Sequence, residues 1–402
     1  MPVDAAVKLR ARPAGRIRPQ LDELRQVLEK EGNPQLDFPS ILIVGTNGKG
    51  STAAMLEAVL RAHGLRTGLF TSPHLVHVEE RVRLDGLPVD ERVLESAIGR
   101  FDEYPDLTYF ETLTAAAFSI FSEAKVDVAV LEAGMGGSWD ATRLAGSAIA
   151  GLTNVGSDHA GWLGAELAEV AGDKGRALAA AARAVIGTGV DETLVAAVGA
   201  PAARRARSLV TCADAGGGRV AMSWNGRETV VRFPLSGAFQ IDNFELALAL
   251  ALEAADMGLT RPLEPSLVQA AFDGMRWPGR LSVHRVNGRE VLVDCAHNLE
   301  AAKALAEHLS GLDRRYNLLF SCLDDKPVEA MAKILGDRVG EVVVCRLDDE
   351  RAMPLGRLAA AFAGATCAED PQSGLDLVND PVLATGSIRL VGALLALAES
   401  AR

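Results

Sequence analysis

Short unbroken apolar runs alternate along the chain with longer segments of helical spacing. The runs fall at 41–44 (ILIV), at 67–70, at 126–134 (VDVAVLEAG) and from 148 (AIAGLTNV). Helical spacing marks 21–30 (LDELRQVLEK), 51–63 and 113–126 (LTAAAFSIFSEAKV). A continuous apolar strand is buried on both faces, as in a parallel sheet, and the helices between such strands supply the crossovers. The stretch ADAGGGRVAMSWNGRETVVRF predicts a hairpin-bearing excursion, and DNFELALALALEAAD (242–256) a helix. After Pro278 and Gly279, where a hinge is expected, the alternation resumes: REVLVDCAHN, LEAAKALAEHL, YNLLFSCLDDK, VEAMAKIL, EVVVCRL, then PVLATGSIRLVGALLAL. The expectation is α/β throughout, in two domains, 1–280 and 281–402.

Composition agrees. A chain of 402 residues is long for one core and suits two domains. It is 49% hydrophobic and 23% charged, a globular rather than a disordered balance. A net charge of -12 with no basic block argues against nucleic acid as a partner. No uncharged apolar run reaches membrane-spanning length, and the basic N-terminus lacks the apolar segment of a secretory signal. Five cysteines, none in a CxxC pair, disfavour a disulfide framework or a zinc site and suit a reducing cytoplasm.

The chemistry gathers where strands end. In open parallel sheets ligands bind beyond the strands' carboxyl ends. The first run breaks into GTNGKGS before a helix. Glycines let the backbone turn its N–H groups inward, the helix start adds partial positive charge, and Lys49 adds a full one. Ser51 is placed to cap the helix and face a phosphate. The spacing differs from GxxxxGK[ST], since Gly50 separates Lys49 from Ser51. A solvated glycine turn is the plain alternative.

Other residues carry weaker signals. Glu132 ends a buried strand beside glycines, suited to magnesium or to an ordinary loop hydrogen bond. Ser72, in TSPHL, reads by itself as a turn residue. His159, in SDHAGWLG, reads by itself as structural, and Lys174 as a solvated helix lysine. Asp294 and His297, in DCAHN, suit nucleotide contact or proton transfer, with an N-cap role for Asp294 or Asn298 as the alternative.

Taken in order, IVGTNGKGST, TSPHL, TYFETLTAAAF, VLEAGMGGSWDAT, SDHAGWLG, LSGAFQIDN, PGRL, DCAHNLEAA and TGSIRLVG resemble folylpolyglutamate synthase and dihydrofolate synthase, of the wider Mur ligase superfamily. The resemblance spans about residues 20–395. It implies a P-loop-type parallel-sheet ATPase domain followed by a smaller Rossmann-like C-terminal domain. It implies ATP and Mg2+, a ligase joining L-glutamate to a folate or to dihydropteroate, and a cytoplasmic monomer acting on small molecules rather than on nucleic acid or membranes. A monovalent cation is a further candidate. By motif, Asn47, Gly48, Lys49, Gly50 and Ser51 hold the triphosphate, and Asn243, Arg280 and Asp294 contact the nucleotide. Ser72, Glu132 and His159 hold metal. Lys49, Lys174 and His297 serve catalysis, with Lys174 at the position of a lysine carbamylated by CO2. Several positions depart from the family pattern. GGRLDATN is GGSWDATR, placing Ser138 and Arg143. HQ is FQ, placing Phe239. KAGI is KGRA, and DGAHNP is DCAHNL. A Mur-type ligase of another acid, or a non-catalytic ATP-binding protein, are the competing readings.

Overall fold

The computed structural model describes residues 5–10, 12–13, 21–157 and 166–400. Two compact units form. The first comprises Met1–Pro234 and Phe239–Met275, the second Leu235–Ala238 and Arg276–Arg402.

The first unit is built on an eight-stranded sheet. Its strands are β1 (Ser40–Val44), β2 (Thr67–Phe70), β3 (Val82–Leu84), β4 (Leu87–Pro88), β5 (Val128–Glu132), β6 (Ile149–Asn154), β7 (Arg183–Gly189) and β8 (Arg204–Arg205), in the spatial order β4-β3-β2-β5-β1-β6-β7-β8. From β2 to β8 the pairing is parallel, and β3 and β4 extend one edge antiparallel. Every residue of β1 and β5 is buried, as continuous apolar runs require in a central parallel strand.

The helix between β2 and β5 starts at Tyr109, four residues before the pattern suggested, and ends at Ala124. Thr108 and Glu111 explain the start. Thr108 Oγ1 accepts from Glu111 N–H, and the Glu111 carboxylate accepts from Thr108 N–H. Phe118 and Phe121 on this helix are fully buried against Phe38, so truncating either ring costs about 3–5 kcal/mol.

The expected excursion is a three-stranded antiparallel sheet, β9 (Thr211–Asp214), β10 (Arg219–Trp224) and β11 (Arg227–Arg232), with β10 central. The next helix spans Ala238–Asp256, again starting before the sequence expectation.

The second unit carries β12 (Ser282–Val286), β13 (Arg289–Val293), β14 (Asn317–Phe320), β15 (Val342–Cys345), β16 (Thr366–Ala368) and β17 (Val382–Thr385), ordered β12-β13-β17-β14-β15-β16. All its pairs are parallel except the β12–β13 hairpin. The chain returns as β17 between β13 and β14, so the loops after these three strands share one end of the sheet.

Candidate active site

Strand β1 runs through residues 45–48 into the helix Lys49–Ala62. Two positions demand glycine. Gly45 has φ +151°, and a Cβ there would overlap Thr153 Oγ1; Gly48 has φ +80°, and a Cβ there would overlap Asn243 Oδ1. Neighbouring β6 clamps the loop. Asn154 O accepts from Thr46 N–H at 3.2 Å and Asn154 Oδ1 from Asn47 N–H at 2.9 Å, while Thr153 Oγ1 donates to Asn47 O at 2.6 Å. The helix therefore presents its first amides from a fixed turn.

Ser51 is not the helix cap. Gly48 occupies that position, and Ser51 lies inside the first turn, buried, with its Oγ lacking any hydrogen-bond partner. Helical geometry begins two residues earlier than expected because Gly48 adopts the left-handed turn. Lys49 Nζ folds back onto its own loop and donates to Gly45 O and Thr46 O, each at 3.1 Å.

Lys174 is no solvated lysine either. It is 2% exposed, and its Nζ donates to Gly45 O at 3.1 Å. Flanking backbone covers its helix, Leu167–Ala180. A Cβ on Gly137 would stand 2.7 Å from Lys174 Cα, and one on Gly175 would overlap Val198 O. Helical spacing alone cannot reveal such close approaches.

Glu132, at the end of β5, is 5% exposed and accepts from Ser72 N–H at 2.8 Å through Oε2. That bond joins the ends of β2 and β5. Asp140, which the sequence reading passed over, organises the loop that follows. It accepts from Met135 N–H at 3.0 Å and from Thr142 N–H and Oγ1 at 3.0 and 2.6 Å. Burial pushes its pKa up, and the hydrogen bonds, led by Thr142's, pull it back. An Asp two residues before Thr was a legible turn signal. Asp173, also missed, accepts from Gly137 N–H at 2.8 Å and from the Ser138 hydroxyl.

One cluster thus gathers Asn47, Gly48, Lys49, Gly50 and Ser51 with Lys174 through Gly45 and Asn243 against Gly48. Ser72 and Glu132 form a linked pair on the strands beside it. His159 lies outside the described residues. Among the described residues no three His, Cys, Asp or Glu side chains converge to hold a metal.

Replacing Gly48 with alanine should displace Asn243 and strain the turn by ~1–2 kcal/mol. Nucleotide affinity measured by calorimetry should fall about tenfold, with a native circular dichroism spectrum.

The second unit groups Arg280, Asp294 and His297. Asp294 Oδ2 accepts from Leu281 N–H at 3.0 Å and Oδ1 from Ala296 N–H at 2.9 Å. His297 Nδ1 lies 2.8 Å from Cys295 O. Asn298, not Asp294, caps the next helix, accepting from Ala301 N–H at 2.9 Å. Burial pushes the Asp294 pKa up, and the Arg280 charge opposes it. The folded state therefore holds this proton more tightly than the unfolded chain. Its contribution to stability declines as pH rises from the usual carboxylate range toward the raised folded value. Urea unfolding at pH 4.5 and 7 should show a smaller pH dependence for Asp294→Asn than for the wild type. Asp294→Ala should cost ~2–5 kcal/mol by stranding two buried N–H groups.

Two family profiles match the chain: "Mur ligase middle domain" over residues 43–251 and "Mur ligase, glutamate ligase domain" over residues 279–390. The dihydrofolate synthase/folylpolyglutamate synthase of Mycobacterium tuberculosis is 36% identical over 385 residues, covering 87% of this chain and 78% of its own. The chain belongs to the folylpolyglutamate/dihydrofolate synthase family. Solved synthases of that family superpose well. The M. tuberculosis folylpolyglutamate synthase complexed with ADP and AMPPCP has a TM-score of 0.84 at 32% identity, covering 94% of this chain and 95% of its own. The bifunctional Yersinia pestis synthase complexed with AMPPNP and Mn ion has a TM-score of 0.84 at 26% identity, with 98% of each chain covered. Like the other synthases of this family, the chain is an ATP-dependent ligase. Among the described residues, no helix of this synthase-family chain is long and apolar enough to cross a membrane.

Proposed function

We propose that this ligase joins the amine of L-glutamate to the carboxylate of a folate-type acid through an acyl phosphate. The observation that carries the reading is the pair of lysines, Lys49 and Lys174, donating to the same glycine-loop carbonyl beside a buried, unpartnered Ser51 hydroxyl. Two converging lysines and an orphaned oxygen at a helix start suit a triphosphate and its metal.

Residues 47–51 hold the phosphates, with Asn243 packed on the turn. An acid oxygen attacks the γ-phosphorus and ADP departs. The glutamate amine then attacks the acyl carbon, phosphate leaves, and the amine loses a proton. Lys49 and the loop amides offset the charge moving onto the transferring phosphoryl group. Ser51 Oγ, Glu132 and Ser72 would hold a hard divalent ion, and His159 would serve a second. Such an ion polarises phosphoryl oxygens when bound. The relatives complexed with AMPPCP and with AMPPNP and Mn ion support nucleotide and divalent metal use. Carbamylation of Lys174 by CO2 would add a negative group beside the metal. Residues 1–280 would carry the ATPase chemistry and 281–402 the glutamate-ligase part. Arg280, at the boundary, would contact the nucleotide; beyond it Asp294 shapes its loop and His297 would take part in proton transfer. The described cysteines are free thiols, which suits a cytoplasmic monomer acting on small molecules.

An acid labelled with 18O in its carboxylate tests the route. One 18O should appear in the released phosphate for each peptide bond formed; unlabelled phosphate would overturn the acyl-phosphate step.

A further inference from the structure

Two guanidinium groups meet at one residue of the loop after Glu132. Arg143, from the turn Ala141–Ala145, donates through Nη1 to the Ser138 carbonyl. Arg176, from the helix Leu167–Ala180, donates through Nη2 to Ser138 Oγ at 3.3 Å. Like charges brought together repel unless something balances them. The carboxylate at hand is Asp173, whose side chain is 4% exposed and which binds Arg176 Nη2 at 2.8 Å. Asp173 also takes Gly137 N–H and the Ser138 hydroxyl, so it fixes the loop and balances one guanidinium. The charge of Arg143 is left over. Arg143 Nε and Nη2 and Arg176 Nε and Nη1 have no hydrogen-bond partner among the described residues. In a chain of net charge -12, this is a concentrated positive patch with donors to spare.

We infer that Arg143 and Arg176 form a carboxylate-binding fork for the glutamyl part of the acid substrate, an inference that rests on the folate-ligase reading. A guanidinium pairs a carboxylate through two parallel N–H groups. Phosphate already has its loop and Lys49 at the end of β1. The fork stands beyond β5, the neighbouring strand, and the Arg176 side chain is 61% exposed, so it faces the rim. A non-reacting part of the substrate, held there, directs the reacting carboxylate toward the phosphate loop. A pterin–benzoate acid without glutamate offers only the reacting carboxylate, whereas each glutamyl unit adds one more. The fork therefore selects glutamylated acids.

Pteroate and pteroylglutamate differ only by one glutamyl unit. Their dissociation constants are measured by calorimetry on the MgADP-loaded protein, for wild type and for the Arg143→Gln/Arg176→Gln double variant, with melting temperature as the fold check. Wild type should bind pteroylglutamate about tenfold tighter, the scale of a charge-assisted bond. The double variant should lose that difference while keeping wild-type affinity for pteroate. A preference that persists in the variant, or equal weakening toward both acids, overturns the fork. A change confined to L-glutamate or ADP affinity also overturns it, assigning the arginines to another substrate. Binding of ADP with neither acid bound by wild type would overturn the folate reading and the fork with it; the other failures overturn the fork alone.

Discussion

Lys49→Ala should abolish ligation while leaving the fold intact, with kcat lower by about 10³-fold. The reason lies in how Lys49 is held. Its Nζ binds two carbonyls of its own loop, Gly45 O and Thr46 O, and is only half-buried. The loop keeps its clamps to Thr153 and Asn154 without it, so stability should change by less than about 1 kcal/mol, the net worth of a typical hydrogen bond. On the proposed mechanism, what disappears is the cation that offsets charge on the transferring phosphoryl group. Melting temperature and single-turnover kinetics separate the two effects. A protein that only senses ATP would lose nucleotide affinity and show no turnover to lose.

Lys174→Met should lower kcat by about 10²-fold and also destabilise the first unit by ~1–3 kcal/mol. This lysine is buried under the loop after Glu132 and ties the helix Leu167–Ala180 to Gly45 O. Methionine keeps the apolar stem and removes the donor, so the carbonyl loses a partner without a large cavity forming. Urea unfolding and steady-state rates measure both losses. Labelling with 13C-bicarbonate adds a direct readout: a carbamate carbonyl signal in wild type that Lys174→Met lacks.

Much of the architecture was legible because buried parallel strands write themselves as continuous apolar runs. The runs at 41–44, 67–70, 126–134 and from 148 hold β1, β2, β5 and β6. Boundaries were harder. The helix at Tyr109 begins before its apolar spacing, with a Thr108–Glu111 capping pair that was readable but outside the periodicity. The glycine loop was legible from composition, since Gly45 and Gly48 have no room for a side chain. Lys174 was not. Its burial depends on Gly137 and Gly175 bringing distant backbone against its helix, a tertiary fact that helical spacing does not encode. Asp173 was missed for a related reason: it acts on a backbone amide of a distant loop, and a lone aspartate carries no mark of which amide it will meet. Asp140's turn with Thr142 was readable, but its reach to Met135 N–H was not. Ser138 and Arg143, at positions that depart from the family pattern, lie in the loop that Asp173 holds from the helix Leu167–Ala180.

The most direct test of the account is ADP release by the purified protein with MgATP and L-glutamate, with tetrahydrofolate, with dihydropteroate, and with neither, products being weighed by mass spectrometry. The account predicts release that requires a pterin acid and a product heavier by one glutamyl unit. ADP release that is indifferent to both acids, or nucleotide binding with no product, would contradict it.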